Sequence, residues 1–485
     1  MARRRPYFYV GLLTTGALLV HGYHPGIEDA EIYIPGIKKL LNANLYPSFG
    51  EFFLDHAHST LFDELIAASV RVTHLPFDLA IFIWYLASIF LTLQACWQLS
   101  VACFEKAEAR WAGVATVAAL LTLPVAGTSL YIADQYLTAR SIVTFAVLFA
   151  IANTVKGRTT MAAIWSIIAA CIHPLMTVFG VSYAVILWRA KREPPLKAVY
   201  QLLPASILVN DLLPDPSAAY RQALATRPYF FLLQWQWYEW LGALAPLLLL
   251  WVMGRLAEKG SLRTLRLMSQ SLMTYGILYL LVAIVITVPT RFVGAARFQP
   301  MRSLHLLYIL MFLFGGGLIG QYILRRKVWR WFALFLPLCA VMFIAQRQLF
   351  PSSPHVEWPN QEPKTDWLKA FEWVRSNTPT DALFAVDPKY MTKDDQHGFR
   401  AIAERSRLAD AVKDSGAVTM FPDLPAADHW IEQLTAEQGW DHFREKDFRR
   451  LKKTYGVSWI VSERTQKLSF ECPYENRTIR VCRLD

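Results

Sequence analysis

The strongest constraint on how this chain can fold is a succession of apolar runs between Tyr7 and Ala345, most of them close to the ~17–25 residues that carry an α-helix across a bilayer. They lie at 7–22, 79–103, 111–127, 141–153, 160–173, 175–188, 196–209, 238–254, 270–288, 303–324 and 329–345. The pattern predicts an α-helical polytopic membrane protein with about eleven transmembrane helices. The runs at 141–153, 160–173 and 196–209 are short, so their helices must borrow flanking residues or sit inside the bundle. Composition agrees: 54% of the residues are hydrophobic and only 18% are charged, against about 25% charged in soluble domains. Beyond residue 348 such runs are nearly absent. The expected organisation is a transmembrane domain at 1–347 followed by a small α/β domain at 348–485.

The net charge of +11 reads as a topology signal. Assigning the loops alternately to two faces puts nineteen Lys and Arg against four Glu on one of them, and the positive-inside rule makes that face cytoplasmic. An odd number of spans then leaves the N-terminus in the cytoplasm and the C-terminal domain periplasmic, or otherwise extracytoplasmic, on a bacterial inner membrane. With the basic charge so explained, the expected partner is the lipid bilayer and no nucleic acid. Arg3-Arg4-Arg5 before a short apolar run also fits a secretory signal peptide. His21-Gly22-Tyr23-His24-Pro25 offers no A-x-A-like cleavage site, however, and the later loops alternate only if the first helix is retained. Six cysteines are too few for a disulfide scaffold, and none has zinc-ligand spacing.

Between the first two spans, residues 23–78 form an external loop long enough to be functional or disordered. Ile32, Ile34, Ile37, Leu40 and Leu41, then Leu61, Leu65, Ile66 and Val70, recur at roughly helical spacing. They predict two amphipathic helices lying along the membrane surface. At the head of the loop stand Glu28, Asp29 and Glu31, just after His21 and His24. Adjacent carboxylates at an interface supply a general base or hold a divalent cation, like charge raising one pKa. The same residues also read as the solvated acidic N-terminus of a helix, and both readings stand at this point. Asp55-His56-Ala57-His58 adds His56 and His58 to Glu28 and Asp29 as metal candidates, since His-x-His ligates in extended conformation. A plain helix N-terminus near Ser59 is the competing account.

The other external loops carry arginines against the positive-inside trend: Arg140 in DQYLTAR (134–140), Arg221 and Arg227, and Arg291, Arg297 and Arg302 in one short loop. A guanidinium bonds phosphate oxygens bidentately, so an anionic headgroup, phosphate or pyrophosphate would explain the set. Pairing with nearby carboxylates or lipid phosphates would explain each one singly, and Gln234-Trp235-Gln236-Trp237-Tyr238 reads as an interfacial aromatic belt.

This arrangement resembles the GT-C class of integral-membrane glycosyltransferases, whose members include protein mannosyltransferases and oligosaccharyltransferase. The resemblance rests on Glu28-Asp29 just after the first span, the long loop with surface helices, about eleven spans and an external C-terminal domain. It implies a polyprenyl-phosphate-linked sugar as donor, an extracytoplasmic acceptor, and Glu28 or Asp29 as base or metal contact. It places Arg140, Arg297 and Arg302 at the donor phosphate and allows a divalent cation as cofactor. A non-catalytic scaffold or polymer-binding subunit that keeps the fold is the alternative; no internal repeat points to a carrier. The chain also resembles uncharacterised bacterial membrane proteins of this layout, through DQYLTAR, HPLM (173–176), RFQPMRS (297–303), WVRSNTPTDALF (373–384) and GFRAIAERS (398–406). Pro174 is expected to stop or start a helix, with His173 at the interface.

In the tail, Pro351, Pro354, Pro359 and Pro363 mark a stiff linker. Helices are expected at Asp366 to Ser376, Phe399 to Arg405, Ala426 to Glu437 and Asp447 to Tyr455, and strands at Leu383 to Val386 and Val457 to Val461, giving a small α/β sandwich. No GxGxxG, phosphate loop or nucleophile elbow appears. Cys472 and Cys482 flank a turn near Glu475-Asn476, and an external location permits a disulfide between them once a bulge or longer loop brings them together. Two free thiols remain the alternative.

Overall fold

The computed structural model describes residues 5–192, 216–392, 396–420 and 425–484, so the span expected at 196–209 lies outside the described residues. The chain divides into two compact units. The first draws on residues 1–23, 83–215 and 228–349, and the second on residues 24–82, 216–227 and 350–485.

In the first unit, five helices among the described residues are long and apolar enough to cross a membrane. They are Phe77–Cys103, which begins in the other unit, Trp237–Lys259, Arg263–Thr287, the run Phe292–Leu324, and Val328–Leu349. Ala139–Val155, Thr159–Ile172 and Pro174–Ala190 are shorter apolar helices, and Arg5–His21 has 17 residues. The run expected to span from 111 to 127 needs correcting: its helix covers only Ala107–Ala119. Pro124–Val125 (β1) then pairs antiparallel with Leu130–Tyr131 (β2). Pro124 has no N–H for a helix, and Gly127 turns the hairpin at a φ of +64° with the Trp235 ring seated where a side chain would be. Farther along, Thr159–Ile172 ends at His173, and Pro174 opens the next helix at a position where its missing N–H costs nothing.

Close packing in this unit joins Ala107–Ala119 to Ser303–Ile319 and to the helical turn Gly320–Leu324 that follows it. At Gly316 an added Cβ would lie 2.2 Å from Thr116 Oγ1, and at Gly320 it would lie 2.5 Å from the Ala112 Cβ. The backbones approach because these positions carry no side chain. In lipid, where burial gives no driving force between helices, that approach supplies the van der Waals contact that holds them.

The second unit is an α/β sandwich around a five-stranded mixed sheet: Leu383–Val386 (β3), Ser406–Arg407 (β4), Trp459–Glu463 (β5), Tyr474–Glu475 (β6) and Ile479–Arg483 (β7), in the order β4-β3-β5-β7-β6. β3 runs parallel to β4 and β5, while β7 is antiparallel to β5 and β6. Period-two alternation divides its side chains between two cores. Phe384, Val386, Val461 and Val481 meet Phe371, Val374 and Phe399 on one face; Leu383, Ala385, Ile460 and Cys482 meet Phe448, Leu451 and Trp440 on the other. A strand covered on both faces reads as a continuous apolar run, which is why Leu383-Phe384-Ala385-Val386 is visible in the sequence.

Residues 24–82 belong to this unit and form three helices before Phe77: Ala30–Leu41, Glu51–His58 and Phe62–Thr73. They are joined to the tail by buried polar contacts. Glu31, fully buried, accepts the Arg400 and Ala401 N–H groups at 3.0 Å each. Lys38 donates to the Ala401 carbonyl at 2.8 Å and to Glu404 at 2.7 Å, and the Tyr46 hydroxyl donates to the Arg400 carbonyl at 2.8 Å. Arg400 in turn holds Asp414 through two parallel bonds of 2.8 Å. Burial pushes the Glu31 carboxyl up to about 7, against the pull of Arg400 and Arg407. Cys472 and Cys482 are joined by a disulfide, Cα to Cα 3.9 Å. Cys472 sits two residues before the first β6 pair, Tyr474 opposite Val481.

Candidate functional site

In the second unit, Glu28 sits at a φ of +54°, its N–H donating to the Gln396 carbonyl at 3.1 Å. That turn leads into the helix Ala30–Leu41 and presents Glu28 and Asp29 side by side. Both meet one ammonium: Lys413 Nζ contacts Glu28 Oε2 and lies 3.2 Å from Asp29 Oδ1. Burial by itself would lower the Lys413 pKa, but the two carboxylates more than reverse this and hold it above the usual lysine range. The result is a charged Glu–Lys–Asp cluster whose carboxylates are 40% and 29% exposed.

The metal candidates are not brought together. Asp55 to His58 closes the helix Glu51–His58, and the next helix, Phe62–Thr73, starts close to Ser59 with Asp63 and Glu64 in its first turn, in line with the plain helix N-terminus expected there. Positions two apart on a helix face different sides, so the extended His-x-His geometry is lost; His58 is exposed, and the His56 side chain lies outside the described residues. Among the described residues, no group of three or more His, Cys, Asp and Glu is placed to hold a metal ion.

The arginines fall into different surroundings. Thr138 caps the helix Ala139–Val155, accepting the Ser141 N–H in a capping box. Its hydroxyl also donates to Asp134 Oδ2 at 3.2 Å. Arg140 Nη2 donates to the same oxygen at 2.9 Å, and both charged residues are buried. Arg140, Asp134 and His305 border a cavity of about 20 Å³; Arg302 and His305 border another of about 20 Å³. Each has room for about one water molecule. His305 and Thr144 line both, the His305 Nε2 being bonded to the Ile132 carbonyl at 2.9 Å. Arg297 borders neither cavity and lies over the Phe298 ring, 5.3 Å from its centroid. Arg227 is engaged by its own unit, bonding the Val412 carbonyl and Ser415 Oγ.

Sequence reasoning singled out the acidic pair and the arginines but missed Lys413 and His305. Only the polar head of an apolar run signals His305, and nothing local signals that Lys413 closes on residues 384 and 385 positions away.

The fold and these residues describe a membrane protein with an α/β unit and two clusters of paired charges. A family profile described as a domain of unknown function (DUF6798) matches residues 365–414, the stretch that contains Arg400 and Lys413. No curated protein matches the chain. Among solved structures it is similar to the archaeal oligosaccharyltransferase AglB from Archaeoglobus fulgidus in complex with an inhibitory peptide and a dolichol-phosphate. The TM-score is 0.48 at 11% identity, over 95% of this chain and 70% of that one. A second similar structure is the Archaeoglobus fulgidus oligosaccharyltransferase in its apo form, with a TM-score of 0.43 at 12% identity, over 94% of this chain and 69% of that one.

Proposed function

We propose that the protein is a GT-C-like membrane glycosyltransferase that moves a sugar from a polyprenyl-phosphate-linked donor to an extracytoplasmic acceptor. The observation that carries this reading is the buried arginine beside His305. An ionised side chain inside a membrane unit is costly to keep and is retained where it meets a charged ligand or a relay. Arg140 and Arg302 are assigned to the donor phosphate, with Arg297 a further candidate from the same loop as Arg302. Glu28 or Asp29 is assigned to deprotonate the acceptor or to contact a divalent cation. On this reading the N-terminus is cytoplasmic and the C-terminal domain periplasmic.

A second reading, a non-catalytic scaffold or polymer-binding subunit, is favoured by one specific fact: Lys413 already pairs with Glu28 and Asp29, and Asp134 with Arg140. Transfer from radiolabelled polyprenyl-phosphate sugars in proteoliposomes separates the two. The transferase reading expects Glu28→Gln or Asp29→Asn to lower the rate about 10²–10⁴-fold, and Arg140→Gln or Arg302→Gln about 10²–10³-fold. Robust transfer untouched by either acidic substitution removes the assigned base, and no transfer from any donor favours the scaffold.

A further inference from the structure

Three helices of the membrane unit, Arg5–His21, Ala107–Ala119 and Val328–Leu349, leave between them an apolar groove of about 800 Å³. On the first helix it runs from Tyr9 through Gly16 to Val20, about 16 Å at the helical rise. Its other walls run from Trp111 to Ala119 and from Trp331 to Cys339, about 12 Å each. This depth is about half of the ~30 Å hydrocarbon layer, the depth of one leaflet.

One end of the groove differs chemically from the other. Tyr9, Trp111 and Trp331 collar it, with Tyr9 edge-on to Trp111 at 5.4 Å. The loops leading into Trp111 and Trp331 carry Lys106, Arg110, Arg325, Arg326, Lys327 and Arg330 against only Glu105 and Glu108. Arg326 and Glu108, 2.6 Å apart, tie those two loops together. Aromatic collars and basic clusters between membrane helices mark the level of lipid headgroups. At mid-depth, a Cβ on Gly16 would meet nothing within 4 Å.

We propose that this groove binds one anionic diacyl phospholipid. Its acyl chains lie along Gly16, Ala115 and Ala119, and its phosphate sits among the cations beside Arg110 and Arg330. Leaflet depth selects a two-chain bilayer lipid over a polyprenyl chain, which outruns the groove, and the one-sided positive rim selects an anionic headgroup over a zwitterionic one. None of these residues takes part in the proposed sugar transfer.

The test is retention of lipid by the full chain. Protein reconstituted in phosphatidylcholine nanodiscs containing a minority of phosphatidylglycerol is extracted in mild detergent and weighed by native mass spectrometry. One phosphatidylglycerol per chain should remain in preference to phosphatidylcholine. The double variant Arg110→Ala/Arg330→Ala should weaken retention about twenty-five-fold, about fivefold per cation. Gly16→Phe, entering open space, should abolish retention while circular dichroism stays unchanged. Equal retention of both lipids by the wild type, or retention indifferent to both variants, overturns the site. Displacement by polyprenyl phosphate at equal concentration overturns the diacyl assignment.

Discussion

Glu357, in the linker that opens the tail, should act as an acid-sensitive clasp of the second unit. Its carboxylate accepts His24 Nδ1 at 2.8 Å and His397 Nε2 at 3.1 Å, with only 14% of the side chain exposed. Burial raises the carboxyl, but the His397 charge and the hydrogen bonds from His24 and His397 outweigh it and bring the pKa from 4.5 down to about 2. At 1.36 kcal/mol per pH unit, that difference contributes about 3 kcal/mol. Because the folded value lies below the unfolded one, this stability is present above about pH 4.5 and is lost as pH falls toward 2. The reporters are the amides beside the clasp, Glu28 N–H to Gln396 O at 3.1 Å and Gly398 N–H to Gly26 O at 2.8 Å. Hydrogen exchange, corrected for intrinsic rates, should show their protection falling between about pH 4.5 and pH 2 in the wild type. Glu357→Gln should lose about 3 kcal/mol of protection already at about pH 6 and show no further fall. Equal protection in both proteins at pH 6, or the same acid-induced decline in both, would refute the argument.

Asp63 should behave in the opposite sense. Burial, then the neighbouring Glu64, pushes it up to about 8, so its contribution is fully present below the unfolded value and is lost as pH rises through 8. Asp63→Asn should therefore raise the melting temperature at pH 8 and leave it unchanged near pH 4. Reducing the Cys472–Cys482 bond, ten residues apart, should cost the second unit about 2–3 kcal/mol, visible as a lower denaturation midpoint under thiol than without it. Gly127→Ala should destabilise the hairpin by about 1–3 kcal/mol, through a strained positive φ and displacement of Trp235; a changed tryptophan emission and a lower melting point would report it. Arg400→Lys cannot reproduce the paired bonds to Asp414 and should cost about 3 kcal/mol or more by the same melting assay.

What the sequence revealed followed local chemistry. Leu383 to Val386 was readable to the residue, because a strand covered on both faces is an unbroken apolar run between polar neighbours. β4 was not, because its residues are Ser406 and Arg407. Arg407 is buried by donating to the Leu408 and Val386 carbonyls, and polarity hides such a strand. The run from 111 to 127 misled because hydropathy is blind to backbone: Pro124 and Gly127 make a hairpin of residues apolar enough for a span. Glu28 and Asp29 in the second unit, and Arg140 and Arg302 in the first, stood out as charges near apolar runs. Asp134, the partner of Arg140, stood six residues away in the same segment; the partner of the acidic pair could not be read, since Lys413 reaches Glu28 across 385 positions, and pairings at that range leave no periodicity.

The second unit is gathered from stretches far apart in the chain, and this sets a timetable for synthesis. Glu31 waits for the Arg400 amide, 369 positions later. At the ~5–20 residues per second of translation, this is about twenty to seventy seconds. Throughout that interval the helices near the start of the chain have emerged without the polypeptide that satisfies their buried carboxylate, lysine and tyrosine. A nascent chain halted before residue 400 should therefore hold residues 24–82 in a protease-sensitive state, whichever helices have already inserted. Early in its life, the molecule depends on whatever shields that segment until residues 400–404 have been made.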